Sequence, residues 1–485
     1  MSQYDPRGVV LINGVLLTML GLTMLIPALV DLAYGHPDHI VFIESAGVTI
    51  FCGGAMVTAT FRRGIQLNIR QAFILTTSVW IVLPAFAALP LAFSELRMSY
   101  TDAYFEAMSG LTTTGATVIT GLDNSPPGIL IWRAILQWLG GVGIIVTAIA
   151  VLPLLQVGGM QLFRMESSEQ SDKALPRAAQ IAGATTVAYV ILTVACAAAL
   201  FAVDVRAFDA IAHAMTTVAT GGFSTMDASV GGLQNASAEW IITLFMVLGS
   251  LPFVLYLQAV RGRPLLLWRD TQVRWFFATV GGAILLILAL SGLTERTDEA
   301  LDAVRLAAFN VISIITGTGY ASDDYGAWGR SATVLFFFFT FIGGCAGSTS
   351  CGIKIFRFRV MFESARIQIV QLIRPNTVIV PRFNGRPLET HVIDAVMGYF
   401  FLFAMVFGTL AFLLTLTGLD LTTAISGAAT AVSNVGPGLG DTIGPAGNFQ
   451  PLPDTAKWLL SAGMLLGRLE FLTVMVLFTP RFWRA

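Results

Sequence analysis

The chain has 485 residues, of which 55% are hydrophobic and only 12% charged, with a mean hydropathy of +0.76. A soluble domain carries about 25% charged residues, so this composition excludes a water-soluble globule. The formal net charge of −1, with no basic domain, points away from nucleic acid.

In chain order, the first apolar block covers residues 9–34 and contains one charge, Asp31. A bilayer core about 30 Å thick needs roughly 20 apolar helical residues, so this block is long enough to span. It is too long for a removable signal peptide and lacks a small-residue cleavage site. Further blocks cover residues 181–203, 275–293, 392–419 and 456–478. Arg and Lys collect in alternate connections. Arg62, Arg63 and Arg70 share one, and Arg261, Arg263, Arg269 and Arg274 share another against Asp270 alone. Lys354, Arg357, Arg359, Arg366, Arg374, Arg382 and Arg386 fill a third. Acidic residues occupy the connections between, with Asp204 and Asp209, then Glu295, Asp298, Glu299 and Asp302, then Asp420, Asp441 and Asp454. The positive-inside rule assigns the basic connections to the cytoplasm. Both termini then fall inside, which requires an even number of spans.

A fourfold repeat runs through the chain: apolar span, short amphipathic stretch, small-residue loop, second apolar span. The loops read Thr112-Thr113-Thr114-Gly115-Ala116, Ala219-Thr220-Gly221-Gly222-Phe223, Thr316-Gly317-Thr318-Gly319-Tyr320 and Ser433-Asn434-Val435-Gly436-Pro437. Their aligned glycines, Gly115, Gly222, Gly319 and Gly436, are 107, 97 and 117 residues apart. Each preceding stretch begins near an acidic residue, Asp102, Asp209, Asp302 or Asp420, which complements the dipole at a helix start. A stretch of about a dozen residues cannot cross a bilayer, but it can enter as a re-entrant half-helix and return as an extended loop. Irregular backbone at that depth is allowed only where it lines a cavity or is buried in protein. Four such loops around one axis offer rings of carbonyl oxygens that replace the hydration shell of potassium. Glycine suits them, because turning successive carbonyls one way needs backbone angles that a Cβ disfavours. The plainer reading is that the glycines only let helices approach closely.

Between residues 333 and 361 the apolar pattern breaks at Gly343-Gly344-Cys345-Ala346-Gly347-Ser348-Thr349-Ser350-Cys351-Gly352. Each glycine costs a helix roughly 1 kcal/mol against alanine, so an intramembrane loop or a packing kink is expected here. Lys354 follows it, either as a second barrier charge or as a snorkelling interfacial lysine. Arg468 lies near the centre of the last apolar block, where a charge is costly and usually faces a cavity. It is expected to project into the pore beneath the loops and oppose the broken segment. The alternative is a structural carboxylate partner, for which Glu470 is badly placed, since residues two apart on a helix diverge.

The four cysteines, Cys52, Cys196, Cys345 and Cys351, match no zinc or disulfide pattern and read as ordinary small residues. The histidines His36, His39, His213 and His391 are scattered. Gly140-Gly141-Val142-Gly143 superficially suggests a phosphate loop, but it sits inside an apolar span with no preceding strand. Close helix packing explains it. No catalytic constellation or nucleotide-binding motif stands out, so an enzyme is not expected.

The chain resembles the TrkH/KtrB/HKT superfamily of potassium transporters, most of all its bacterial TrkH branch. The residues that carry the resemblance are Ser109-Gly110-Leu111-Thr112-Thr113-Thr114-Gly115-Ala116-Thr117, Gln137-Trp138-Leu139-Gly140-Gly141-Val142-Gly143-Ile144, Ala219-Thr220-Gly221-Gly222-Phe223-Ser224-Thr225, Gly343-Gly344-Cys345-Ala346-Gly347-Ser348-Thr349 and Leu466-Gly467-Arg468-Leu469-Glu470. They fall in family order along nearly the whole chain.

The resemblance implies an all-α integral membrane fold of about ten transmembrane helices. Four M1–pore-helix–M2 repeats stand in pseudo-fourfold arrangement, at 66–165, 166–265, 266–375 and 376–485, after an N-terminal two-helix hairpin at 1–65. It implies potassium-binding filter carbonyls from Thr113, Thr114 and Gly115; Thr220, Gly221 and Gly222; Gly317, Thr318 and Gly319; and Asn434, Val435 and Gly436. Glycine rather than serine at position 115 favours potassium over sodium, whereas Asn434 and Pro437 make the fourth loop the least regular. A gating role is implied for Gly343, Gly344, Gly347, Gly352, Lys354 and Arg468. The expected setting is the bacterial inner membrane, as a homodimer among membrane lipid with a cytoplasmic nucleotide-binding (RCK-type) regulatory subunit. No organic cofactor is expected, and potassium is the ion carried. Against this channel-like uptake stands an ion-coupled secondary transporter using protons or sodium.

Overall fold

The computed structural model describes residues 5–61, 67–150, 174–297 and 299–484, with the side chains of 146–150, 174–179 and 386 left aside. Arg62, Arg63 and Asp298 of the charge pattern lie outside the described residues, as do the expected repeat boundaries at 65/66 and 165/166.

The fold is helical. Among the described residues the one small sheet is a two-residue hairpin, β1 (Arg382–Phe383) antiparallel to β2 (Arg386–Pro387). An N-terminal pair comes first, with α1 (Arg7–Thr23) continuing into α2 (Leu25–Tyr34) and returning as α3 (His39–Thr60). Small residues let α1 and α3 touch backbone to backbone. A Cβ on Gly53 would lie 2.7 Å from the Gly14 carbonyl oxygen and 2.6 Å from Thr18 Oγ1, a separation real side chains do not tolerate. This is the small-residue packing that membranes favour.

Next come α4 (Ile69–Ala87) and α5 (Leu89–Phe93), then α6 (Tyr100–Leu111) and α7 (Pro127–Ala150). The same order recurs as α8 (Ala174–Phe201), α9 (Ala207–Val218) and α10 (Ala236–Gly249) with α11 (Phe253–Val260). It recurs again as α12 (Thr271–Leu290), α13 (Ala300–Thr316) and α14 (Arg330–Phe339), followed by α15 (Ile355–Ile373). The last set is α16 (Thr390–Leu416), α17 (Leu421–Ser433) and α18 (Asp454–Arg468) with α19 (Leu472–Met475). Among the described residues, seven helices are long and apolar enough to cross a membrane, and two bent pairs raise this to nine. The bends are 92° between α10 and α11 and 105° after α18. The ten-residue α14 stops at the interrupted segment and is too short to cross by itself, so the described helices give seven to nine spans against the ten or so expected. Large side chains that face outward, such as Leu29, Phe51 and Phe401 at 66%, 76% and 67% exposure, suit a lipid surround and not water.

The half-helices α6, α9, α13 and α17 have 12, 12, 17 and 13 residues. At 1.5 Å per residue none crosses the bilayer. Their starts carry the expected acids. Ser99 caps α6 through its hydroxyl, which accepts from Asp102 N–H at 3.1 Å. Asp420 caps α17 by accepting from Thr423 N–H at 3.1 Å, and the Thr423 hydroxyl and N–H hold its carboxyl below the usual range.

The N-terminal pair docks on this frame through a buried carboxylate. Asp31 Oδ1 accepts from Gly128 N–H at 2.6 Å, at the first turn of α7, where the helix leaves its N–H groups without intrahelical partners. Asn13 Nδ2 adds a bond to Ser78 Oγ on α4 at 2.9 Å. We predict that Asp31→Ala, which leaves the Gly128 N–H buried without a partner, costs about 1–3 kcal/mol. A lower melting temperature in detergent, against an unchanged one for Glu44→Gln, checks it.

Candidate functional site

The four half-helices end alike. Each hands over to a residue in the left-handed region: Thr113 (φ 52°), Thr220 (φ 50°), Gly317 (φ 75°) and Asn434 (φ 52°). The next N–H reaches back across the turn: Thr114 to Ser109 O (2.8 Å), Gly221 to Thr216 O (2.9 Å), Thr318 to Ser313 O (2.9 Å) and Val435 to Thr430 O (3.1 Å). This is the Schellman termination of a helix, four times over. Two residues on, the chain enters the left-handed region again at Gly115 (φ 89°), Gly222 (φ 81°), Gly319 (φ 80°) and Gly436 (φ 105°). The same two left-handed positions, two residues apart, thus recur in all four loops. Only the second of these positions is glycine in every loop. Those are the four aligned glycines of the sequence repeat, whereas the first position holds threonine in two loops at some backbone strain.

The loops meet in a closed ring. A Cβ on Gly115 would strike the Gly221 carbonyl oxygen, one on Gly222 that of Thr318, and one on Gly319 that of Val435. The circuit closes where a Cβ on Gly436 would approach the Thr114 carbonyl oxygen at 2.8 Å. All four second glycines also line one cavity, together with Phe223, Asp227 and Pro437. No described helix separates the loops. Gln137 on α7, carried in a motif but given no role by the sequence, straps the second loop. Its Nε2 donates to Gly221 O at 2.6 Å, and its Oε1 accepts from Phe223 N–H at 3.0 Å. The irregular fourth loop is tied to the first, since Asn434 Nδ2 donates to Thr114 Oγ1 and to Met464 O, both at 2.9 Å.

The interrupted segment lies directly under this ring and touches the end of every half-helix. Thr349 Oγ1 donates to Val218 O at 2.9 Å, Ser350 Oγ to Thr316 O at 2.6 Å, and Gly352 N–H to Ser433 O at 2.9 Å. Cys351 Sγ sits 3.5 Å from Thr113 Oγ1. A second anchor comes from the bend after α10. Pro252 has no N–H to offer, and the carbonyls freed nearby are used by the segment. Cys345 N–H donates to Ser250 O at 3.0 Å and Thr349 N–H to Gly249 O at 3.2 Å. The segment folds on itself so tightly that a Cβ on Gly343 would strike the Cys351 carbonyl oxygen, while Gly347 and Gly352 take φ 76° and 72°.

Arg468, near the centre of the last apolar block, ends α18 at the 105° bend, so it sits at a break in the helix. The tight passage of Gly467 against Val432 O and Asn434 Oδ1 brings it beneath the loops. Its Nη1 lies 2.8 Å from Cys351 Sγ and 3.4 Å from Thr349 O, and its Nη2 donates to Gly140 O at 3.1 Å. The residue is 4% exposed, no carboxylate faces it among the described residues, and its Nε has no hydrogen-bond partner there. Glu470 instead pairs with Arg357, whose guanidinium lies 3.6 Å over the Tyr399 ring.

Two residues depart from expectation. Arg357, counted with the basic connection, is fully buried because Glu470 and Tyr399 neutralise and cover it. Cys351 is buried as expected and in addition touches Arg468. Lys354 does not snorkel away, because its Nζ turns back to donate to Ser350 O. Gly140 and Gly141 serve packing as expected, facing Leu111 O and Tyr189 Oη respectively. No group of three or more metal-ligating side chains occurs among the described residues.

The TrkH family, described as cation transport protein, matches residues 39–485. The chain is 47% identical over 476 residues to the Trk system potassium uptake protein TrkI of Halomonas elongata, covering 97% of this chain and 96% of that one. It is 38% identical over 482 residues to TrkH of Escherichia coli K12, covering 99% of each. The crystal structure of the potassium transporter TrkH from Vibrio parahaemolyticus is similar with a TM-score of 0.90 and 36% identity, over 99% of this chain and 100% of that one.

Removing the Arg468 contacts should loosen the segment. A hydrogen bond to a charged group contributes about 1.5–3 kcal/mol, so Arg468→Ala is expected to speed maleimide labelling of Cys351 roughly tenfold or more, as read by mass spectrometry of the labelled peptide.

Proposed function

The chain belongs to the TrkH family of cation transport proteins, and from that premise we propose that it carries potassium into the cell through a selective, gated pore. It is an integral membrane protein by its apolar helices and its family. The proposal sets it in the bacterial inner membrane with both termini cytoplasmic, in keeping with the alternating charge of its connections. Its four repeats follow the N-terminal hairpin at 66–165, 166–265, 266–375 and 376–485.

One observation carries this reading: four loops with the same alternating backbone close into a ring through their second glycines. Thr113, Thr114 and Gly115, Thr220, Gly221 and Gly222, Gly317, Thr318 and Gly319, and Asn434, Val435 and Gly436 supply carbonyl oxygens in place of water. The half-helices aim the negative ends of their dipoles at the space beneath, which favours a cation there.

The segment around Gly343, Gly344, Gly347 and Gly352 is the gate, shut in the arrangement described. Its contacts with Val218, Thr316 and Ser433 support that assignment. Arg468 is the fixed charge of the barrier. At an effective dielectric constant near 20, a monovalent cation passing at roughly 5 Å meets about 3 kcal/mol of repulsion. Lys354 adds a second positive charge below. Opening requires the loop and Arg468 to part, which the reversible hydrogen bonds between them permit.

This chain carries no nucleotide-binding motif, so regulation by nucleotide belongs to an RCK-type subunit docked on the basic connections. The protein itself acts as a homodimer among membrane lipid. Purified protein in vesicles tests the whole reading. Rubidium uptake driven by an imposed potential alone is expected, and a strict requirement for protons or sodium would instead establish a coupled transporter. Arg468→Ala is expected to raise basal flux by about two orders of magnitude if the full repulsion is relieved, and unchanged flux would count against the barrier role.

A further inference from the structure

Counting back nine residues from Gly115, Gly222, Gly319 and Gly436 reaches Glu106, His213, Asn310 and Gly427. Three of these side chains do the same thing. Each crosses from the half-helix to the chain just beyond its own loop. Glu106 Oε2 accepts from Val118 N–H at 2.9 Å, and its two oxygens accept from Thr117 Oγ1 at 3.0 and 3.1 Å. His213 Nε2 bonds Ser224 Oγ at 3.0 Å while its Nδ1 bonds Asp209 O at 2.8 Å. Asn310 Nδ2 donates to Ser322 Oγ at 2.9 Å, and its Oδ1 accepts from Ser322 N–H at 3.3 Å. All three are fully buried. The fourth repeat has no side chain at that register, and Ser426, one residue earlier, accepts from Leu439 N–H at 3.0 Å.

The four struts differ in strength. Only Glu106 is paired with a cation: Arg133 Nε donates to its Oε1 at 2.8 Å, with the two side chains 2% and 0% exposed. Arg133 then reaches the neighbouring loop, where Nη1 donates to Ser224 O at 2.7 Å and the guanidinium lies 4.0 Å over the Phe223 ring. It also borders the cavity that the four glycines line. A buried, fully hydrogen-bonded ion pair resists displacement, because parting it strands a charge. Neutral hydrogen bonds are roughly half as strong.

We propose that these side chains are positioning residues for ion discrimination. They hold the far end of each loop so that its carbonyls keep their spacing, and the Glu106–Arg133 pair contributes most. Asn310 and His213 follow, and Ser426 contributes least. Fixed spacing matters because a site that relaxes by a fraction of an ångström no longer distinguishes ions of different radius. The proposal rests on reading the loops as the filter. It adds that the four quarters of that filter are unequally stiff.

The test is the ratio of the apparent KM for sodium to that for rubidium, measured on the full chain in vesicles. Glu106→Gln is expected to lower the ratio about tenfold, and Asn310→Ala to lower it by a smaller factor. Glu106→Gln combined with Arg133→Gln should recover rubidium affinity, by removing the stranded positive charge, without recovering the ratio. Should Glu106→Gln fail to fold, Asn310→Ala, which strands no charge, carries the test. A merely structural role would depress both ions in proportion and leave the ratio unchanged, and that result overturns the proposal. Gly115→Ser separates the struts from the loops they hold. If it shifts the ratio while the strut variants do not, the struts fail alone; if it too leaves the ratio unchanged, the filter reading fails.

Discussion

A backbone carbonyl at membrane depth has no water to turn to, and the arrangement of this protein follows from that one constraint. Each half-helix stops halfway, which leaves its last carbonyls without intrahelical donors. The first donors come from the loop that follows, through the repeated Schellman bond. For three of the four, a further donor comes from the interrupted segment, whose Thr349, Ser350 and Gly352 donate to Val218, Thr316 and Ser433. The segment is in turn satisfied by Ser250 and Gly249, carbonyls released where Pro252 breaks the helical ladder. Two irregular stretches at the same depth therefore complete each other. Neither would be stable facing lipid alone.

The charged groups obey the same rule and separate by it. Arg133 with Glu106, Arg357 with Glu470 and Lys457 with Asp102 are buried with a carboxylate. Arg468 is buried with a thiol and two carbonyls. An unneutralised guanidinium is expensive in an apolar interior, and it persists only where the surroundings are polar. Its charge is not cancelled by a carboxylate among the described residues, whereas the charges of the paired arginines are cancelled locally.

The fourfold pattern is a scaffold on which the quarters have diverged. Of the four helices that follow the loops, one runs unbroken as far as it is described, two bend sharply, and one stops and resumes after the interrupted segment. The first left-handed position is threonine, threonine, glycine and asparagine in turn. Cross-ties follow suit, with Gln137 strapping the second loop, Asn434 joining the fourth to the first, and the Tyr320 hydroxyl meeting that of Thr216. A single chain can differentiate its quarters in this way, which identical subunits cannot do.

The sequence by itself determined the membrane class, the four half-helices, the glycines of the loops, the break near residue 343 and the anomaly of Arg468. These are legible because they depend on composition and on local backbone preference, which act within a few residues. Tertiary structure alone decided that Glu470 belongs to Arg357, that Cys351 meets Arg468, that Lys354 folds back onto Ser350, and that Glu106, His213 and Asn310 share a task. The last of these left a trace in the common spacing of nine residues, but three different side chains conceal it, because what they share is a direction and a partner and not a chemical type. Pairings across 117 or 113 residues, such as Arg468 with Cys351 or Arg357 with Glu470, are set by how the helices pack around the axis, and no local preference encodes them.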